Sequence, residues 1–368
     1  MDTSTLYIIL TGTDPASEKG GIAQVMPGYM ELLDLTGVKW QFMPTHNSSV
    51  WHGKWWPWFK SLLFLPGIIA HKKQQGYTPV IYSHPGASIS LFRQGVFISV
   101  GRLFGSRVVI HIHTAAAITY LSSRLKRKLY LAVLSKADAL FVLTHWWKTF
   151  FKEHGVQNNI FVVPNPLNER LRNIANRQTS TNSKRDKLAL LVLSRLVKGK
   201  GVDIAVNAMQ FVDDAQLTVA GEGEEKSSLV AWTIQYGIED KVRFIGWVSG
   251  KEKQEVLENT DVLIHLTRYD AMPMGVLEAL AFGKPVIALN WGPIPDLIPK
   301  GIAGFLVEDD PIEIAQAISK LRDPKVRERM GSAAKSWVLD NYEADIVRSQ
   351  LISALEATVE SKFEHSTK

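Results

Sequence analysis

The sequence predicts an α/β protein built from two doubly wound parallel-sheet domains, and three observations predict it. Short β-rich runs alternate with helix-length segments along nearly the whole chain. A polar, charged break at residues 165–187 interrupts that alternation once. At 368 residues the chain also exceeds what one ordinary core holds. In the first half, runs at 6–11, 79–83, 107–113, 139–143 and 160–163 read as strands. Residues 22–34, 90–104 and 124–134 are long enough to be crossover helices between them. After the break, strands are expected at 188–193, 216–220, 242–245, 262–266, 285–289 and 304–307. Residues 341–361 read as a terminal helix that could pack on either half, with Ile346, Leu351, Ile352, Leu355 and Val359 as its apolar positions. The expected partition is therefore 1–168, a linker at 169–187, a second domain at 188–340 and the terminal helix at 341–368. Two such domains are expected to face a central cleft, because sheets of this kind bind ligands at the carboxyl ends of their strands.

Composition narrows the chemistry. With 46% hydrophobic and 21% charged residues the chain can bury a core without staples. The absence of Cys excludes disulfides, thiolate metal sites and a cysteine nucleophile. A net charge of +6 suits anionic small molecules or lipid headgroups and is too weak to argue for nucleic acid. The longest apolar stretch, at 61–70, contains Pro66-Gly67 and is far shorter than the roughly 20 residues of a spanning helix. No secretory signal is expected at the N-terminus, so the expected location is cytoplasmic, with any membrane contact peripheral.

The most informative segment is 261–289, read as strand, loop, short helix and strand. Pro273 fits a first helical turn, and the free N–H groups of Met274, Gly275 and Val276 would form an anion site. Asp270 and Glu278, eight positions apart, bracket it with carboxylates able to accept hydrogen bonds from sugar hydroxyls. Directly after the strand at 188–193, the loop Ser194-Arg195-Leu196-Val197-Lys198-Gly199-Lys200-Gly201 offers Arg195 as a fork and Lys200 as a point charge for a diphosphate. It lacks the frame of a phosphate-binding Walker loop. Gly221-Glu222-Gly223 begins like a dinucleotide fingerprint, but its third glycine is missing and three acids follow the first glycine, which argues against NAD. Gly20-Gly21 opens a helix after the first strand and could let backbone approach a ligand.

The first half carries seven of the 11 Trp and eight of the 10 His, so the two halves differ in chemistry though not in rhythm. Residues 51–60, Trp-His-Gly-Lys-Trp-Trp-Pro-Trp-Phe-Lys, interleave aromatics and cations as a sugar-stacking or membrane-interface surface would. With Arg124, Lys126, Arg127 and Lys128 they suit a weak contact with anionic lipid, although the same residues would also serve as core and solvated rim. His84 and Arg93 are candidate acceptor contacts. His111 and His113 alternate on one strand, so only one of them is expected to face the cleft.

The order Gly20-Gly21, His113, Val163-Pro164-Asn165-Pro166, Arg195 to Lys200-Gly201, Ala220-Gly221-Glu222-Gly223, Phe244-Ile245-Gly246, Asp270 to Glu278, Gly283-Lys284-Pro285 and Gly304-Phe305-Leu306-Val307 resembles the retaining glycosyltransferases of family four. The resemblance implies the GT-B architecture, two Rossmann-like domains with a last helix that crosses back. It implies a nucleotide-sugar donor held mainly by the C-terminal domain, and because the chain contains no Asp-x-Asp triplet, no metal ion or other cofactor is expected. Glu278 would bind the donor ribose, Asp270 the transferred sugar, and Arg195 with Lys200 the diphosphate. His113 would lie beside the donor sugar and Gly20-Gly21 over its phosphates. One departure is that the family usually has Glu where this chain has Asp270. The expected function is therefore transfer of a sugar from a UDP- or GDP-sugar to a saccharide acceptor, with a lipid-linked oligosaccharide of a surface polysaccharide as the expected acceptor. A nucleotide-sugar-binding subunit without catalysis, and a sugar-nucleotide isomerase or hydrolase on the same fold, are the alternatives.

Overall fold

The computed structural model describes residues 5–17, 21–47, 52, 55–86, 89–177 and 186–360. It comprises two compact units, residues 1–168 together with 342–368, and residues 169–341.

The first unit runs β1 (Leu6–Thr13), α1 (Gly21–Thr36), β2 (Lys39–His46), α2 (Trp56–Gln74), β3 (Thr78–Ser83), α3 (Ile89–Leu103), β4 (Arg107–Ile112), α4 (Ala116–Ser122), α5 (Arg124–Leu134), β5 (Ala139–Val142), α6 (His145–Glu153) and β6 (Asn159–Val162). All its strands are parallel, in the order β2-β1-β3-β4-β5-β6. The inner strands read as unbroken apolar runs because helices cover both faces, and Ile8, Ile9, Leu10, Val80, Ile81 and Val109 are fully buried. Right-handed crossovers place α1 on one face and α2, α3 and α5 on the other, since the chain reverses direction across the sheet between β1 and β3. The last helix, α15 (Ala344–Glu360), belongs to this unit and packs on α1 and β6. The backbone N–H of Leu167 donates to the carbonyl of Tyr342 at 2.8 Å where that returning segment begins.

The second unit contains α7 (Glu169–Asn176), β7 (Leu188–Leu193), α8 (Val202–Ala208), β8 (Ala215–Ala220), α9 (Lys226–Gln235), β9 (Val242–Gly246), α10 (Gly250–Glu258), β10 (Val262–His265), α11 (Met274–Ala281), β11 (Val286–Leu289), α12 (Ile294–Leu297), β12 (Gly304–Val307), α13 (Pro311–Lys320) and α14 (Pro324–Tyr342). Its parallel sheet has the order β12-β11-β10-β7-β8-β9. The core cluster gathers Leu190, Val192, Leu217, Val219, Ile264 and Ile287 from the strands with Val206, Ile314 and Ile318 from α8 and α13.

Two elements lie outside the sequence reading, and one expectation changes. The β2 run was not anticipated, because its alternating, half-exposed residues and Pro44 lack the apolar continuity of the inner strands. Residues 61–70 lie inside one continuous helix, α2, with Pro66 accommodated in its middle. The expected linker at 169–187 begins instead with α7, whose Leu171, Ile174 and Ala175 are buried and which packs against α11. The linker's remainder at 178–185 lies outside the described residues.

Candidate functional site

In the second unit the strand order reverses between β7 and β10, since β7 leads on to β8 on one side and β10 to β11 on the other. Such a reversal opens a crevice at the carboxyl ends of the two strands. The loop carrying Arg195 and Lys200 leaves β7 at this point, and the loop carrying Asp270 leaves β10. The two loops close tightly on each other. Gly199 and Gly201 have φ of +84° and +69°, and a Cβ would stand 2.2 Å from the Tyr269 ring at the first and 2.1 Å from the Leu266 carbonyl oxygen at the second. Glycine is thus required there both by the left-handed backbone and by the neighbouring loop. Gly221 and Gly223 play a similar packing part, lying against the backbone of Ser194 and Leu196.

This closure seats Lys200 against Asp270, with Nζ 2.7 Å from Oδ1 and the lysine side chain only 9% exposed. The His265 ring lies on the other side of the carboxylate, Nε2 to Oδ2 3.5 Å. Burial pushes His265 down to about 4, outweighing the carboxylate beside it, so the ring is neutral at pH 7 and Asp270 answers to Lys200 alone. Glu278, on α11, makes an ion pair with Lys253 of α10. Each of the two sequence-identified carboxylates therefore has its own lysine. Arg195 is exposed on its loop and makes no ion pair among the described residues.

Pro273 caps α11 from outside, its φ and ψ being extended. The Val276 N–H donates to the Pro273 carbonyl at 3.1 Å, so it is not free for an anion as expected. The N–H groups of Met274 and Gly275 have no acceptor among the described residues and remain the open donors of that terminus. Lys253 and His265 escaped sequence reasoning. Lys253 sits in a run of alternating charge on α10, and His265 looks like one more strand residue.

In the first unit the reversal lies between β1 and β3. His84 follows β3 and His113 follows β4, and their rings meet, Nδ1 of His84 to Nε2 of His113 at 2.8 Å. His111 joins the same cluster, 4.2 Å from His113 between ring centroids. Alternation does not separate the pair because β4 ends at Ile112, and His113 turns back beyond it. The His111 ring is held by the Tyr82 hydroxyl at 2.8 Å and the Val163 carbonyl at 3.0 Å. Burial lowers all three histidines, His113 to about 3 against a partial rise from its hydrogen bond with Asn165. The three rings offer nitrogens within 4.8 Å of one another, a spacing a metal ion could use, but both His111 nitrogens and the facing pair of His84 and His113 are already engaged in hydrogen bonds.

His84 is 1% exposed, so it supports His113 rather than meeting an acceptor as expected. Arg93 is also buried, with its guanidinium over the Trp55 ring. Gly21 starts α1, and Gly20 lies outside the described residues.

Comparison with known proteins adds the chemistry to this geometry. Residues 173–337 match Glycosyl transferases group 1. The comparisons support a glycosyltransferase. The segment covers the β7 loop, α10 and the stretch from Asp270 to Glu278. The chain is 31% identical over 166 residues to N-acetyl-alpha-D-glucosaminyl L-malate synthase of Bacillus anthracis, covering 44% of this chain and 43% of that one. It is 23% identical over 319 residues to the amylovoran biosynthesis glycosyltransferase AmsK of Erwinia amylovora, 82% of this chain and 71% of that one. The chain spans about half the length of several curated relatives it matches, 46% and 49% in two further cases. Among solved structures, sucrose-phosphate synthase of Thermosynechococcus elongatus superposes with a TM-score of 0.75 at 19% identity, over 97% of this chain and 100% of that one. HepE of Anabaena in complex with UDP-glucose gives 0.71 at 16% identity, over 96% and 100%. These likenesses show the fold, two six-stranded parallel α/β domains of the GT-B type.

Proposed function

We propose that this protein is a retaining, metal-independent glycosyltransferase that moves a sugar from a UDP- or GDP-sugar to a saccharide acceptor, with a lipid-linked oligosaccharide of a surface polysaccharide as the acceptor, at the cytoplasmic face of a membrane. The observation that carries the reading is the pairing of Lys200 with Asp270 and of Lys253 with Glu278 at the strand reversal of the unit that matches the group 1 transferases. The UDP-glucose complex of HepE supports a nucleotide-sugar donor for this fold.

In this reading Glu278 accepts hydrogen bonds from the ribose hydroxyls, and Lys253 holds its carboxylate in place. Arg195, Lys200 and the N–H groups of Met274 and Gly275 meet the diphosphate. As the bond from sugar to phosphate loosens, negative charge grows on the leaving diphosphate, and those donors stabilise it where it forms. Asp270, fixed by Lys200, orients the hydroxyls of the transferred sugar. A neutral His113 offers that sugar a hydrogen bond rather than a positive charge. The acceptor hydroxyl attacks on the face from which the diphosphate departs, its proton passing to a leaving phosphate oxygen, so the anomeric configuration is kept.

The test is nucleotide release from a panel of UDP- and GDP-sugars with a chelator present, followed by NMR of the anomeric proton of the product. Release from one donor with retained configuration is expected. Release that needs an added divalent ion, or an inverted product, overturns the reading. Release of free sugar with acceptor present, without a glycosylated product, identifies a hydrolase instead.

A further inference from the structure

Between Asp34 and Asp138 the chain contains no Asp or Glu and 13 Lys and Arg. This stretch encodes α2, α3 and α5, which share one face of the first sheet. Its ion pairs among the described residues are those of Arg102 and Arg107 with Asp138. The outward side of the layer is apolar as well as basic. Phe59, Leu63 and Phe64 of α2, Phe92 of α3 and Leu125 and Leu129 of α5 are exposed, with Lys60, Arg124, Lys126 and Lys128 between them.

Within this layer one buried cation lacks hydrogen-bond partners among the described residues. Arg93 on α3 is 4% exposed, and its Nε and Nη1 have no hydrogen-bond partner among the described residues. Its guanidinium carbon lies 5.7 Å from the Trp55 ring centre, and its backbone carbonyl accepts the Trp58 indole N–H at 3.0 Å. A guanidinium stays charged at any accessible pH, and a buried charge without an anion is costly. The two tryptophans that touch it, Trp55 and Trp58, also line an open pocket of about 600 Å³ together with His52, Trp56 and Phe59. A buried, anion-seeking cation beside an aromatic trough fits a ligand with a negative head and an apolar tail.

We propose that Arg93 and the Trp55–Phe59 pocket bind an anionic amphiphile, a phosphate joined to a hydrocarbon chain, with the phosphate on the Arg93 guanidinium and the chain along the indole and phenyl rings. The proposal rests on the lipid-linked acceptor of the reading above, and its test is a binding measurement that needs no transfer. The basic, apolar outer side of α2 and α5 brings the pocket to the surface from which such a ligand comes.

Purified full-length protein is titrated with dodecyl phosphate below its micelle concentration, with neutral dodecyl glucoside and with inorganic phosphate, read by tryptophan fluorescence and calorimetry. Dodecyl phosphate is expected to bind at least tenfold tighter than either control. Arg93→Gln should lose that margin, Arg93→Lys should keep part of it, and Trp55→Ala, on the exposed side, should weaken it without affecting the fold. Without ligand, Arg93→Gln should raise the midpoint of thermal unfolding, because it removes an uncompensated buried charge. Equal binding of dodecyl glucoside, equal binding of inorganic phosphate, an unchanged Arg93→Gln, or binding of polyuridylate in place of any amphiphile overturns the proposal. Co-sedimentation with phosphatidylglycerol vesicles then separates the sources. Displacement by dodecyl phosphate identifies a bilayer lipid as the occupant, and simultaneous binding identifies a separate lipid-linked phosphate.

Discussion

Acid should unfold the first unit through its histidines. His84 and His111 are buried, His113 lies half-buried against them, and all three are neutral in the folded chain, with His113 lowered from 6.5 to about 3. In the unfolded chain all three return to the ordinary value near 6.5. Their contribution to stability is therefore fully present above pH 6.5 and is lost as pH falls toward the folded values, because the unfolded state binds the protons first. Between pH 7 and pH 5 His113 costs about 2 kcal/mol, and His84 and His111 add to that loss in the same direction, against a whole stability of about 5 to 15 kcal/mol for an ordinary domain. Urea unfolding at pH 7, 6 and 5, followed by circular dichroism and tryptophan fluorescence, measures this directly. A steep fall is expected, and the His84→Asn, His113→Asn double variant should have a shallower slope whatever its stability at pH 7. A stability flat from pH 7 to pH 5, or an unaltered slope in the double variant, would refute the buried neutral cluster.

Other outcomes follow from single contacts. Gly201→Ala, which sets a methyl group 2.1 Å from the Leu266 carbonyl oxygen at a φ of +69°, should cost about 3 kcal/mol in urea unfolding of the second unit. Lys253→Met frees Glu278 from its partner and should weaken binding of UDP or GDP about tenfold by calorimetry, with a smaller loss for the 2′-deoxy nucleotide. An equal loss for both nucleotides would remove the ribose from that site. Lys200→Met takes away one of the charges that hold His265 low, so the ring should titrate above about 4, read by its NMR shift.

Most of this architecture was legible because parallel strands buried on both faces write themselves as apolar runs. Eleven of the twelve strands, from β1 to β12, lie on runs marked in the sequence. The exception, β2, is an edge strand whose residues alternate between core and solvent and whose Pro44 interrupts the pattern. The carboxylate spacing from Asp270 to Glu278 and the basic loop after β7 were also visible, since both are local in sequence. Their lysine partners were only half visible: Lys200 could be named as a cation, but that it meets Asp270 is a contact across 70 residues. Lys253 and the cluster of His84, His111 and His113 depend on which strand ends adjoin, and no local pattern encodes that. The same limit explains His84, which looks like a loop residue in sequence and is held inside the core by Tyr29, Tyr82 and two other histidines.

The placement of α15 in the first unit has a consequence for biosynthesis. Residues 1–168 leave the ribosome well before the helix that covers α1 exists, and all of the unit at 169–341 is made in between. Translation order therefore opposes folding order. The half made first must wait with an uncovered apolar flank, while the half made second is able to finish first. A nascent chain stalled near residue 341 would display that flank to the cell's folding machinery, and completion of the final helix would withdraw it.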